Sequence, residues 1–327
     1  MEQRLLGRTG RLVSVVGLGT WQLGADWGAV SEADASAVLE ASVEAGVNFF
    51  DTADVYGDGR SEQIIGRFLR KHPELDVTVA TKMGRRVDQL PEHYTLKNFR
   101  EWTDRSRRNL QQDTLDLVQL HCPPTSVYST TEVYDALDTL VGEGAIRNYG
   151  VSVERTDEAL EAIKRGNTAT VQIILNAFRL KPLDEVLPAA REAGVGIIAR
   201  VPLASGLLSG KYTTETTFAE NDHRNYNRSG TAFDVGETFS GVDFATGVKA
   251  AQEFSGLVPD GVTTPQAALA WVIAQDGVTS VIPGARSAAQ ARANAEAGGL
   301  EDVGTGLAAG VRDIYDRYFR EAIHPRW

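Results

Sequence analysis

The sequence predicts an α/β fold, a single (β/α)8 TIM barrel over residues 1–327. Three observations predict it. Short apolar runs begin at residues 47, 77, 115, 146, 170 and 195, so they lie 24 to 38 residues apart, which is the length of a strand, a helix and two turns. The segments between them carry helical periodicity, and several close on Gly, the residue favoured just past a helix end. One further apolar run near each end of the chain brings the strand count to eight, the number that closes a parallel barrel.

Taken in order, SVVGLG at 14–19 supplies the first strand. Arg4, Arg8 and Arg11 ahead of it mimic the charged start of a signal peptide. The run is too short for one and lacks an A-x-A cleavage site, and Gly7, Gly10, Gly17 and Gly19 punctuate it like turns. VNFFD at 47–51, VTVATK at 77–82 and LDLVQLH at 115–121 read as strands two to four, and IRNYGVS, TVQIIL and VGIIAR as five to seven. Amphipathic segments separate them: ADASAVLEASVEAG, SEQIIGRFLRK, LKNFREWTDRSRRNL, TTEVYDALDTLVGEG, TDEALEAIKRG and LDEVLPAAREAG. After the seventh strand comes a polar stretch, 213–241, long enough to be a functional lid over the barrel mouth. Residues 243–257 and 264–275 read as helices, TSVIPG at 279–284 as the eighth strand, and 305–320 as an added C-terminal helix. A doubly wound open sheet is the structural rival; no Pro/Gly/Ser-rich linker divides the chain.

The composition narrows the function. The chain is 42% hydrophobic and 24% charged, with 33 Lys plus Arg against 44 Asp plus Glu and a net charge of −11. That balance opposes binding to nucleic acid and to anionic membrane, and no apolar run approaches the ~20 residues of a bilayer span. Cys122 is the one cysteine, which excludes an internal disulfide and suits a reducing, cytoplasmic compartment. Coiled-coil heptads are absent, so a monomer is the default.

Barrel active sites gather at the C-terminal ends of the strands. Strand two ends in Asp51, strand three in Lys82, strand four in His121 and strand five in Ser152, and Tyr56 lies five residues after Asp51. Polar residues also end strands simply because strands emerge into solvent. A carboxylate, an ammonium, an imidazole and a phenol on neighbouring strand ends nevertheless form the inventory of proton transfer. A phenol has a pKa of about 10, and a cation ~4 Å away offers roughly 4 kcal/mol at an effective dielectric of ~20, so Lys82 is expected to lower Tyr56. Asp51 would orient Lys82, and His121 would hold the oxygen that receives the proton.

Other chemistries lack their residues. No HExxH or metal-ligand spacing appears, so no metal is expected, and His72, His93, His223 and His324 read as surface residues. Cys122 follows a strand rather than opening a helix and reads as a bystander. GLGTWQLG has Gln22 where a dinucleotide fingerprint needs glycine, and GLLSGKY has Tyr212 where a P-loop needs Ser or Thr.

At this point the motifs GLGTW, FFDTADVYG, ATKMG, LVQLHCP, GVS, VQ, PLASGLLSGK and IPGARS stand in order from Leu5 to about Ala297. The chain resembles an aldo-keto reductase. The resemblance implies a metal-free barrel that uses NADPH rather than NADH to reduce small aldehydes and ketones, with Asp51, Tyr56, Lys82 and His121 as the catalytic four. It places Gly19, Thr20 and Trp21 near the nicotinamide, and Ser152 and Gln172 on its carboxamide, while Val153 departs from the common Asn. Arg200 stands where the family usually stacks a Tyr, and a planar guanidinium also stacks. Pro202, Leu203, Gly206, Leu208, Gly210 and Lys211 would follow the pyrophosphate, with Leu203 and Leu208 equally readable as core. Gly284, Arg286, Gln290 and Asn294 would surround the adenosine 2′-phosphate, Arg286 supplying the cation. The substrate pocket would combine Trp21, Tyr56 and His121 with the loops after strands four and seven and the C-terminal tail of Tyr318, Phe319 and Trp327, while Trp27, Trp102 and Trp271 serve equally as core. The alternative function is a cofactor-sensing regulatory subunit of the same fold, and a phosphosugar isomerase or lyase is a third.

Overall fold

The structure is a computed structural model that describes every residue except 25–29, 221 and 233, so the reading of Trp27 lies outside the described residues. An antiparallel hairpin comes first: β1 (Gln3–Leu5) pairs with β2 (Leu12–Ser14), Arg4 opposite Val13. Eight parallel strands follow, adjacent in sequence order: β3 (Leu18–Gly19), β4 (Phe49–Asp51), β5 (Thr78–Met83), β6 (Leu115–His121), β7 (Ile146–Ser152), β8 (Thr168–Ile174), β9 (Gly196–Arg200) and β10 (Val278–Val281). The last strand returns to the first through parallel bridges Val16↔Val281 and Gly19↔Gly284. Val281 N donates to Val15 O at 2.9 Å and Gly17 N to Val281 O at 2.8 Å. The fold is therefore the expected (β/α)8 barrel.

One expectation about the start is corrected. Ser14 does not open the barrel; it completes the hairpin, and the barrel's edge runs through 15–19. The hairpin plugs the floor of the barrel. Its Leu6 and Val13 join Phe49, Ala80, Leu117, Ile198 and Ile282 in a cluster separate from the main core. Gly7 makes the approach possible: at φ +51° a Cβ there would lie 2.1 Å from Ala169 O and 2.3 Å from Gly196 N, so no side chain fits.

Six helices cover the outside between β3 and β9: α1 (Glu32–Glu44), α2 (Arg60–Lys71), α3 (Leu96–Leu110), α4 (Thr131–Gly142), α5 (Thr156–Ile163) and α6 (Val186–Ala193). Local chemistry sets their ends. The Ser31 and Thr95 side chains accept the Asp34 and Asn98 amides, which supplies partners to otherwise orphaned N–H groups. Gly194 ends α6 at φ 68°. Outward strand residues Phe50, Val79, Val118, Leu120, Val171 and Ile197 pack with Val38, Ile65, Phe99 and Leu137 of these helices in the main core. Each such burial contributes about 1.5–3 kcal/mol.

After β9 the chain makes a short helix, α7 (His223–Tyr226), within 213–241, then α8 (Phe244–Ser255) and α9 (Thr264–Ile273) before β10. Beyond β10 come α10 (Ala288–Glu296), α11 (Glu301–Gly306), α12 (Ala308–Tyr318) and α13 (Arg320–Ile323); the helix expected over 305–320 is mostly α12, with α11 and α13 as separate short helices on either side. Trp102 and Trp271 are buried in the core.

Candidate active site

Strand alternation places the polar residues. Residues two apart on a strand share a face, so the inward apolar positions Phe49, Ala80, Leu117 and Ile198 of the barrel floor are each followed one step up by Asp51, Lys82, Gln119 and Arg200. His121 is one step higher on the same face as Gln119, and the ladder sets it opposite Ser152, itself opposite Gln172. A dry floor thus carries a polar upper layer.

Within that layer Lys82 Nζ donates to Asp51 Oδ1 at 2.5 Å and to Thr52 O at 2.8 Å, and lies 3.5 Å from Tyr56 Oη. Asp51 Oδ2 accepts from Gln172 Nε2 at 2.7 Å and Gln119 Nε2 at 3.3 Å. Asp51 and Lys82 are buried and Tyr56 is half-buried, with its ring stacked on Trp21 at 5.9 Å and edge-on to His121 at 5.9 Å. Burial, the largest single influence, works to lower the Lys82 pKa, but Asp51 and Tyr56 together outweigh it and hold the ammonium above its ordinary value. Burial, with Arg85 and Lys82 beside it, drives His121 well below 6.5, so its imidazole is neutral. Tyr56 departs from the sequence-based expectation: burial raises it, and the pull of Lys82 only offsets part of that. The phenol is fully protonated at neutral pH.

A cavity of about 780 Å³ opens above this layer at the C-terminal ends of the strands. Gly19, Thr20, Trp21, Asp51, Tyr56 and His121 line it, as do Arg286, Gln290, Asn294 and Gly284, the last bridged to Gly19. Ser152, Gln172, Arg200, Pro202, Leu203, Gly206 and Lys211 line it too. Leu208 and Gly210 are not among the lining residues, and the Leu208 side chain is buried in the core. Gln172 already spends an amide N–H on Asp51, and Ser152 Oγ lies 3.4 Å from Gln172 Oε1. Beside β10, Asn294 Nδ2 donates to Gly284 O at 3.1 Å and Gln290 Oε1 accepts from Arg286 N at 2.8 Å. The chain turns sharply where β6 and β9 reach the cavity: Cys122 and Val201 sit at φ +50° and +53°, a region that costs L residues about 1–2 kcal/mol.

The segment 213–241 folds down over the cavity, as expected, and contributes Arg224 and Glu237 to its wall. Arg85 binds Glu237 at 2.9 Å, Glu154 at 3.2 Å and the His121 carbonyl at 3.2 Å, while Arg200 binds Glu154 at 2.9 Å and the Val153 carbonyl at 3.1 Å. Against the desolvation that would raise it, Arg85 and Arg200 hold Glu237 well below the usual carboxylate range. Burial pushes its neighbour Glu154 up to about 8. Cys122 lies within reach of both carboxylates, but the two arginines occupy them and burial pushes its thiol up to about 12.

Two expectations about this wall are corrected. His223 is not a surface residue; it is fully buried, its ring 5.0 Å from that of Trp21, and burial pushes its pKa down to about 4. His72, His93 and His324 are partly exposed. The C-terminal tail does not line the cavity. Trp327 is buried behind the wall, 4.1 Å from the Arg179 guanidinium and donating to Asp234 at 3.2 Å. Phe319 packs on Phe178 at 4.6 Å, and Tyr318 bonds Glu253.

Sequence reasoning did not assign Gln22, Ser205, Tyr212, Arg224, Glu237 or the Thr263–Gln266 turn to the site, yet all of them line the cavity. Only the last carries a local signal, a Thr263/Gln266 capping box at the start of α9.

The model of the Aldo/keto reductase family matches residues 15–302. The chain is 31% identical over 305 residues to the uncharacterized oxidoreductase YqkF of Bacillus subtilis, covering 91% of each. Its structure resembles the holo form of aldo-keto reductase AKR11C1 from Bacillus halodurans, with a TM-score of 0.76, 28% identity and 100% and 99% of the two chains covered. It also resembles an aldo-keto reductase from Klebsiella pneumoniae in complex with NADPH, with a TM-score of 0.70, 25% identity and 96% of each chain covered.

Proposed function

The chain belongs to the aldo/keto reductase family, and on that premise we propose that it catalyses the reversible NADPH-dependent reduction of a small aldehyde or ketone to an alcohol, with Tyr56 as proton donor. One observation carries the reading: Asp51, Lys82 and Tyr56 are linked at 2.5 Å and 3.5 Å beside a neutral His121, on the wall of a cavity of about 780 Å³.

The cavity suits a dinucleotide. Arg286 and Lys211 are exposed, and neither pairs with a carboxylate among the described residues, so both are free for phosphate. Gln22 Oε1 and His121 Nδ1 are buried polar atoms without a protein partner, positions where a ligand's donors fit. When bound, the reduced nicotinamide supplies the two electrons and one hydrogen that the carbonyl carbon needs. Gly19, Thr20, Trp21, Ser152, Gln172 and Arg200 surround the nicotinamide end in this reading. Pro202, Leu203, Gly206 and Lys211 follow the pyrophosphate, and Gly284, Arg286, Gln290 and Asn294 hold the adenosine end.

The protein's own part is proton transfer and orientation. His121, uncharged, hydrogen-bonds the carbonyl oxygen. Tyr56 gives its Oη proton to that oxygen as negative charge builds there. The raised phenol pKa keeps the proton loaded at neutral pH and does not forbid the transfer. An alkoxide is comparable in basicity to hydroxide, whose conjugate acid has a pKa of about 15.7, so the proton moves downhill. Lys82 stabilises the phenolate left behind by about 4 kcal/mol at ~4 Å and an effective dielectric of ~20. Asp51 keeps Lys82 charged and aimed.

The test is the loss of NADPH absorbance with a panel of aromatic aldehydes and ketones, run beside Tyr56→Phe. Turnover in the parent should fall by about 10²–10⁴ in the variant, while NADPH still quenches protein fluorescence in both. Binding without turnover in the parent would shift the assignment to a cofactor-sensing subunit.

A further inference from the structure

His121 reaches the cavity with little of its own to aim its ring. Its Nδ1 is buried and has no partner among the described residues, so the imidazole lacks the protein hydrogen bond that commonly fixes a histidine's ring and tautomer. The strand beneath it is also running out: pairing with β5 stops at Leu120, and Cys122 turns away at φ +50°. A side chain from the loop after β5 takes hold at this point. The His121 carbonyl accepts from Arg85 Nε at 3.2 Å.

Arg85 is held in turn from two other elements. Its Nη2 binds Glu237 of the 213–241 segment at 2.9 Å and Glu154, two residues past β7, at 3.2 Å. Glu237 is itself pinned, because its carbonyl accepts from Ser205 Oγ at 3.1 Å and that hydroxyl accepts from Phe239 N at 3.0 Å. Glu237 carries the negative charge of the cluster, while burial leaves Glu154 largely protonated at neutral pH. A planar guanidinium that donates from Nε and Nη2 at once has little freedom to rotate. Arg85 is not among the residues that line the cavity, so it acts from behind the wall. Resting on the reductase assignment above, we infer that Arg85 is a positioning residue for His121: it pegs the carbonyl at the end of β6 to the 213–241 segment and to the loop after β7, and so sets where the imidazole meets the substrate oxygen. Its charge works in the same direction, since after burial it is the largest influence that keeps His121 neutral.

Cys122 is the one cysteine, so His121–Cys122 is the one His–Cys peptide of the chain. Isotope labels on histidine carbonyl carbons and cysteine amide nitrogens therefore single out the carbonyl that Arg85 holds, as one NMR resonance. The experiment reads that resonance in the wild type, Arg85→Met and Arg85→Lys, together with the Kd for NADPH and kcat on aromatic aldehydes. In Arg85→Met the resonance should move and kcat should fall by about 10²-fold, the cost of a ~1 Å misplacement. The Kd for NADPH should stay as in the wild type, because Arg85 does not line the cavity. Arg85→Lys keeps the charge without the planar fork and should recover only part of kcat. An unmoved resonance or a wild-type kcat in folded Arg85→Met overturns the inference, and so does an equal loss of kcat and NADPH affinity, the mark of a merely structural role. Arg85→Met leaves Glu237 buried with one cation fewer, a costly change; should it not fold, the double variant Arg85→Met with Glu237→Met removes both charges and is held to the same two readouts. Absence of wild-type turnover on aromatic aldehydes instead overturns the reductase assignment, and this inference with it.

Discussion

Asp54, two residues before Tyr56, is a buried carboxylic acid whose two oxygens have no hydrogen-bond partner, and burial next to Glu62 pushes its pKa up from 3.8 to about 7. A carboxyl group raised in the folded state contributes stability that is fully present below 3.8 and is lost as the pH rises through about 7. The loss has a ceiling of about 4 kcal/mol, at 1.36 kcal/mol per unit. Asp54→Asn should therefore be more stable than the parent at pH 8 and flatten the fall in melting temperature between pH 4 and 8; parallel curves for the two proteins would refute this. Among single residues, those on strands are the legible ones. Asp51 and Lys82 follow apolar Phe49 and Ala80 at a spacing of two, and His121 follows apolar Leu117 at four, so sequence alone turns them inward. His223 and Glu237 have no periodic neighbours, and their burial depends on where an irregular segment comes to rest. The direction of the Tyr56 shift is also beyond the sequence, because it weighs desolvation against one ammonium, and desolvation is a property of the assembled site.

At the scale of elements, the eight strands and the helices between them are readable because buried parallel strands are continuous apolar runs and helices carry a different period. The opening hairpin is not: Leu5 and Leu12 are exposed and Leu6 and Val13 buried, a pattern too short to separate from the strand that follows. The segment 213–241 is recognisable as a cover, but its anchoring is invisible in sequence because Trp327 and Arg179 hold it from behind, and a Cβ at Gly241 would lie 2.4 Å from the Trp327 ring. Trp327→Ala removes that anchor. The expected cost is about 3–5 kcal/mol, with KM for aldehyde rising more than kcat falls, since Arg224 and Glu237 lose their support while Tyr56 and Lys82 do not. Thermal melts with steady-state kinetics check both; a fall in kcat alone would argue against the anchor.

For the whole molecule, the closed ring of strands makes every element depend on its neighbours in both directions, and the family match spans residues 15–302 without a break. If that ring is one cooperative unit, its unfolding should be a single transition with calorimetric and van't Hoff enthalpies equal; two resolved transitions would require a boundary inside the ring. Leu6→Asp, which puts a charge into the plugged floor, should lower that one transition as a whole rather than create a second. The hairpin plug also sets a timetable. Leu6, Gly7 and Val13 leave the ribosome early, yet their partners Ala169, Gly196 and Ile282 are translated far later, at ~5–20 residues per second. For that interval the apolar hairpin face has only Phe49, Ala80 and Leu117 of the early strands to cover it, and the nascent chain carries its own seal without a vessel to close. The slow step in maturation is then the meeting of the two ends around a nearly finished barrel, a contact between the most distant parts of the chain.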